Sequence, residues 1–139
     1  MKNLWPQSFQ EPDFEKPRSI FEQQAKLLPT LTGDLVYAEV TELSLERAHF
    51  DSISDDFAYG FYITSRLLAN YSFKILSFSH DVEMYPVKLN INSEIRRELN
   101  IKHVLVEVKS PQELESLLEK ILTSDKISKT IGAIIKMSK

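Results

Sequence analysis

The sequence predicts a two-layer α+β domain, in which helices pack on one face of a meandering, mainly antiparallel sheet of about five strands. The middle of the chain, over 34–91, alternates apolar and polar residues, which is typical of strands with one buried face. Segments outside this stretch carry apolar residues at helical spacing, and such amphipathic helices need an apolar surface to cover. The connections between strands are too short for helical crossovers, so neighbouring strands should run antiparallel.

We expect residues 1–17 to form an extended arm within a single domain that spans 1–139. The arm holds three of the six prolines of the chain and has no helical or strand period. Its large apolar side chains are Leu4, Trp5, Phe9 and Phe14. Such an arm either lies across its own domain and caps the core, or is exchanged with a second subunit or offered to a partner.

A helix over about 18–29 follows the arm, since Pro17 suits the first turn of a helix and Pro29 and Gly33 indicate its end. Period-two alternation then predicts four strands, and residues 43–50 are open to a further one. The four strands cover 36–41, 57–64, 71–78 and 85–91.

One strand carries two small residues, Ala58 and Gly60, on the same face. This indicates that something approaches the sheet closely there. A helix, the arm or a second subunit would each satisfy the pattern.

The last third of the chain has clear helix signals. Asn92 or Ser93 can cap a short helix through Leu99, and a strand over 103–108 follows. Ser110, Pro111 and Glu113 then form a capping box that begins a helix, and Ser124 or Asp125 can cap another. The apolar stripe of the helix behind the capping box consists of Leu114, Leu117, Leu118, Ile121 and Leu122.

The composition excludes several classes of chemistry. The chain has no cysteine, three glycines and three histidines, and none lies in a spacing that thiol catalysis, structural zinc or a phosphate-binding glycine loop requires. The net charge of −3 argues against general nucleic-acid binding. We therefore expect no cofactor and no metal. The N-terminal residues do not resemble a secretory signal, and no apolar run could cross a membrane, so we expect a cytoplasmic protein without a membrane partner.

The polar residues with chemical potential lie mainly in predicted turns, and we assign none of them a catalytic, cofactor-binding or metal-binding role. His80, Asp81 and Glu83 form the densest group of possible metal ligands, but no two histidines have a ligand spacing and a turn is polar in any case. Tyr85 follows this group directly and could line a ligand or partner site with it.

A second polar group, Asp51, Asp55 and Asp56, lacks the order of a calcium loop. It is either a solvated loop or an acidic patch for a basic protein partner. The second alternative fits the acidic excess of residues 1–70, and Trp5 in the arm is the remaining candidate for a partner contact.

The opening residues resemble those of a group of small bacterial proteins. The shared features are an acidic C-terminal helix and four short motifs: Leu4-Trp5-Pro6, Pro17-Arg18-Ser19-Ile20, Glu22-Gln23-Gln24-Ala25-Lys26-Leu27-Leu28 and Tyr85-Pro86. The resemblance covers nearly the whole chain and implies the same fold and a bacterial origin. Because the motifs are structural and we associate no activity with the group, the resemblance implies no catalytic residue.

These observations favour a small protein-binding module, accessory or immunity-like, that acts through a surface and has a protein partner, which could be a second copy of itself in a homodimer. The alternative is a small-ligand-binding protein or an enzyme with a pocket between sheet and helices. No constellation of residues names a reaction.

Overall fold

The computed structural model describes residues 1–68 and 71–139. In these two ranges, five strands form one open sheet in the order β1-β2-β3-β4-β5, and every neighbouring pair is antiparallel. The predicted meander is therefore confirmed. The strands are β1 (Val36–Glu42), β2 (Phe57–Ser65), β3 (Ser72–His80), β4 (Val87–Ile91) and β5 (Val106–Val108).

Within the described residues, five helices accompany the sheet and confirm the α+β class. α1 precedes the first strand, α2 lies between β1 and β2, α3 lies between β4 and β5, and α4 and α5 end the chain. Their bounds are α1 (Pro17–Leu31), α2 (Leu45–Phe50), α3 (Ser93–Glu98), α4 (Pro111–Leu122) and α5 (Asp125–Met137). None of the helices in the two described ranges is both long and apolar enough to cross a membrane.

The core lies between the apolar sheet face and the helices α1, α4 and α5. Phe21 of α1 stacks on Phe78 with ring centroids 4.0 Å apart, and it meets Phe61 edge-on at 5.2 Å. All three rings are fully buried. Since each buried aromatic side chain removes about 150–250 Å² from water, this cluster fixes the first helix on the sheet.

One irregularity in β3 departs from strict alternation. The pairing of β2 with β3 shifts register between Phe61 and Tyr62, so Ile75 is an extra residue in β3. A bulge of this kind bends the strand and turns neighbouring side chains. Ile75 and the adjacent Leu76 are both buried as a result.

The segment over 43–50 is not a strand, and this alternative is wrong. Residues 45–50 form α2, because the Ser44 hydroxyl accepts a hydrogen bond from the amide of Arg47 at 3.1 Å and caps the helix. The helix and the loop behind it lie over the second, polar face of the sheet, where Asp51 bonds to Ser77 and Asp55 to Ser79.

The small residue at position 60 accommodates a neighbour that we did not expect. A Cβ atom on Gly60 would lie 2.5 Å from the ring of Tyr62, which folds back over its own strand. Neither a helix, nor the arm, nor a second subunit is needed to explain the small residue there.

The ends of several elements differ from prediction. α1 continues past Pro29 to Leu31, because the amide and hydroxyl of Thr32 both reach the carbonyl oxygen of Leu28. Three strands begin later than predicted: residue 71 precedes β3, residues 85–86 precede β4 and residues 103–105 precede β5. The capping box is confirmed in modified form. The Ser110 hydroxyl accepts a hydrogen bond from the amide of Glu113, whereas the Glu113 carboxylate accepts one from the amide of Lys109 rather than from that of Ser110.

Candidate functional site

The N-terminal arm does not cap the core of its own domain. Residues 1–16 are all exposed, and the exposed fractions of Leu4, Trp5 and Phe9 are 85%, 75% and 69%. The rings of Trp5 and Phe9 lie 6.4 Å apart. Residues 4–9, which we call the arm segment, thus present three large apolar side chains to solvent.

The root of the arm, in contrast, is fixed on the domain. The hydroxyl of Tyr85 donates a hydrogen bond to the carbonyl oxygen of Glu15 at 3.0 Å, and Phe14 packs edge-on against the Tyr85 ring at 5.2 Å. The side chain of Gln23 in α1 donates to the Glu15 carboxylate at 3.1 Å. The arm segment therefore leaves the domain from a defined position.

Tyr85 itself sits in surroundings that keep it protonated. Burial, together with the negative charges of Glu115 and Glu15, raises the pKa of Tyr85 to about 12. Its hydroxyl remains a hydrogen-bond donor at physiological pH. Tyr85 is thus a sequence-predicted candidate whose role is to hold the arm.

Four of the predicted candidates converge on one shallow recess, which we call the acidic recess. Asp55, Asp81, Glu83 and Tyr85 line it, and Lys88 and Glu107 join them from β4 and β5. Its volume is about 290 Å³. Asp55 pairs with Lys88 at 3.3 Å, which leaves an excess of negative charge that suits a basic side chain of a partner.

His80 does not belong to this recess. It is buried at the end of β3, where its ring packs beside Phe57 and Tyr59 with centroids 5.6 and 6.0 Å away. Its Nδ1 atom lies 2.8 Å from the carbonyl oxygen of Asp81. The histidine is a core residue of the aromatic cluster, and the acidic side chains near it in sequence lie elsewhere.

Asp51 is likewise separate from the recess and has a structural role. Its carboxylate accepts hydrogen bonds from Lys74 at 2.6 Å and from Ser77, and Asn90 donates to its backbone carbonyl. Burial opposes ionisation, but the hydrogen bonds from Lys74 and Ser77 and the charges of Lys74 and Arg47 hold the pKa of Asp51 below its ordinary value. Neighbouring Asp56 is exposed, and its amide donates to Asp81 at 3.3 Å.

A feature that sequence reasoning did not locate is an apolar groove between α1, the sheet and the last two helices. Its volume is about 290 Å³. Leu27 and Leu31 stand at its rim with 54% and 79% of their surface exposed. We call it the apolar groove, and it is lined by Leu27, Leu28, Leu31, Ala38, Phe61, Ile63, Ile75, Leu122, Ile127, Ile131 and the single polar residue Gln24.

No protein-family model, curated protein or solved structure matches the chain. The resemblance to small bacterial proteins stays a prediction. Within 1–68 and 71–139, no group of three or more histidine, aspartate or glutamate side chains is arranged to hold a metal ion. The geometry thus offers three features for function: the arm segment, the acidic recess beside its root and the apolar groove.

Proposed function

We propose that this protein is a small protein-binding module that contacts its partner through the arm segment. One observation carries the proposal: Leu4, Trp5 and Phe9 are exposed together on a segment whose root is fixed. An apolar cluster of this kind on a soluble domain is typical of an interaction site. The cytoplasmic location expected from the cysteine-free sequence belongs to the same proposal.

The chemistry of the arm segment suits a binding anchor. Tryptophan is enriched among the residues that contribute most to protein interfaces, and it contributes most when it fills a pocket on the partner. A fixed root also lowers the entropy that ordering the arm costs, since residues 14 and 15 are already in place.

The acidic recess lies beside the root of the arm and would form part of the same binding surface. Tyr85 lines the recess and also bonds to the arm root, so a partner bound along the arm would lie beside four carboxylates. We therefore expect the partner to carry basic side chains where it meets the root of the arm. Charges of opposite sign at the edge of an interface chiefly speed association and set orientation.

A second candidate function is the binding of a small apolar molecule in the apolar groove. The nearly unbroken apolar lining favours it. The groove volume of about 290 Å³ lies just below the range of about 300–1,000 Å³ that is typical of small-molecule sites. This size suits a single large side chain better than a complete ligand, so we rank the protein-binding function first.

Photocrosslinking in the cells that make the protein natively tests the proposal. A photoreactive phenylalanine analogue at position 9 should give crosslinked protein products of defined mass, and Trp5→Ala in the same chain should reduce their yield. The matched control carries the analogue at Val104, which is also exposed but precedes β5 at the end of the sheet opposite Tyr85 and the arm root. Equal product patterns from both positions, unaffected by Trp5→Ala, would contradict the proposal.

A further inference from the structure

We infer that the partner of the arm segment is a second copy of this chain, with Trp5 of each protomer seated in the apolar groove of the other. The inference rests on the proposed function, because it names the partner of the same arm. It joins two unpartnered apolar features that occur on one molecule, the exposed arm segment and the rim of Leu27 and Leu31.

The groove has the size and lining of a side-chain receptor. Its floor is formed by buried sheet residues such as Phe61 and Ile63, and its volume of about 290 Å³ is too small for most complete ligands. An indole ring is large, rigid and apolar, with one N–H donor. Gln24 at the groove offers a side-chain carbonyl as acceptor for that N–H.

The charges beside the groove favour the arm of a second copy over the molecule's own arm. The groove continues towards α4 into a recess lined by Glu115 and Glu119, and the two share Gln24 and Leu122. The molecule's own arm starts at this end, near Tyr85, so folding back would bring its acidic residues Glu11 and Asp13 beside these glutamates. Like charges placed together in this way oppose docking.

An arm that enters from the opposite side meets complementary charge instead. With Trp5 in the groove, Lys2 lies three residues further on, which is about 10 Å along an extended chain. It would then reach the recess that carries Glu115 and Glu119. Because each protomer has one arm and one groove, a two-fold arrangement satisfies both sites and closes the assembly.

The fluorescence of the full chain tests this inference directly, because Trp5 is its only tryptophan. We expect the Trp5 emission to shift to shorter wavelength as the protein concentration rises, in parallel with dimer formation in sedimentation velocity. Leu27→Glu places a charge at the exposed rim and should weaken dimerisation at least about tenfold. The matched control is Leu45→Glu, at a highly exposed leucine of α2 outside the groove, which should dimerise like wild type.

A charge exchange tests the orientation of the arm. Lys2→Glu should weaken dimerisation, and Glu119→Lys in the same chain should restore at least part of the loss, since both residues are exposed and neither lies in the core. Far-ultraviolet circular dichroism checks that every variant keeps the fold.

Two outcomes would overturn the inference. Short-wavelength Trp5 emission that does not change with concentration in a monomer would show that the molecule's own arm fills the groove. Long-wavelength emission in a monomer at all concentrations would show that no second copy binds. The photocrosslinking experiment detects any protein partner, so failure of this narrower inference does not contradict the proposed protein-binding function.

Discussion

The hydroxyl of Tyr85 donates a hydrogen bond to the backbone carbonyl of Glu15 at 3.0 Å, across 70 positions of the chain. The contact joins the segment just before β4 to the root of the N-terminal arm. Phe14 packs edge-on against the same ring, so one tyrosine fixes two successive arm residues. The exposed residues 1–13 precede this anchored point in the chain.

Tyr85→Phe should loosen the arm root while leaving the domain intact. The ring that Phe14 contacts remains, and only the hydrogen bond is lost, which typically contributes about 0.5–1.5 kcal/mol. Limited chymotrypsin digestion measures the effect, because cleavage after Phe14 should become faster. Cleavage after Phe9, which is exposed in the structure, is the internal control and should keep its rate. Unchanged cleavage after Phe14 would mean that the bond does not hold the root.

Asp51→Asn should destabilise the protein at neutral pH. The substitution leaves Lys74 without its carboxylate beneath the loop after α2, and loss of one partner of a largely buried charged pair costs about 1–3 kcal/mol. Urea unfolding measures the loss. Asp56→Asn, in an exposed position of the same loop, is the matched control and should stay within about 0.5 kcal/mol of wild type.

The same carboxylate predicts part of the acid sensitivity of the fold. The pKa of Asp51 is lowered in the folded protein from an ordinary value of 3.8. The contribution of the ionised group to stability is therefore fully present above that value and is lost as the pH falls through the folded-state pKa. Urea midpoints at several pH values below 5 should fall less steeply for Asp51→Asn than for wild type. Parallel slopes would contradict the assignment.

The fold could be predicted because its signals are local. Alternation in the middle of the chain and the capping residue Ser110 depend on neighbours along the sequence, and they gave the meander and the start of α4. The bulge at Ile75 and the contact of Tyr62 with Gly60 could not be predicted, since they depend on how two distant segments pair and on one side-chain rotamer. The short helix α2 was missed because its six residues show too little periodicity to distinguish it from a strand.

The candidate site was predicted only in part. Asp55 was singled out for its acidic neighbours and Asp81, Glu83 and Tyr85 for their position near His80, and the structure brings these four together. His80 itself was separated from them because it ends a strand and faces the aromatic cluster. Lys88 and Glu107 join the recess through strand pairing, which no single segment reveals. The apolar groove is lined by residues of three helices and three strands, so no single segment of the sequence could reveal it.

Leu118→Ala should destabilise the domain much more than Leu117→Ala. The sequence predicted five buried positions in α4, but Leu118 is fully buried whereas Leu117 is half-buried. A buried leucine replaced by alanine costs about 2–5 kcal/mol, because apolar contacts are lost and a cavity remains. We expect about 1 kcal/mol for Leu117, whose site is open to solvent. Equal urea midpoints for the two variants would contradict the orientation of the helix.

Deletion of residues 1–13 should separate association from folding. These residues are exposed, so at concentrations where the protein is monomeric the free energy of unfolding should change by less than about 0.5 kcal/mol. Deletion of residues 1–15 also removes Phe14 and Glu15 with their contacts to Tyr85, and it should cost about 1–2 kcal/mol. Circular dichroism must follow the unfolding, because both deletions remove the only tryptophan. A large loss on the shorter deletion would show that the arm segment packs on its own domain.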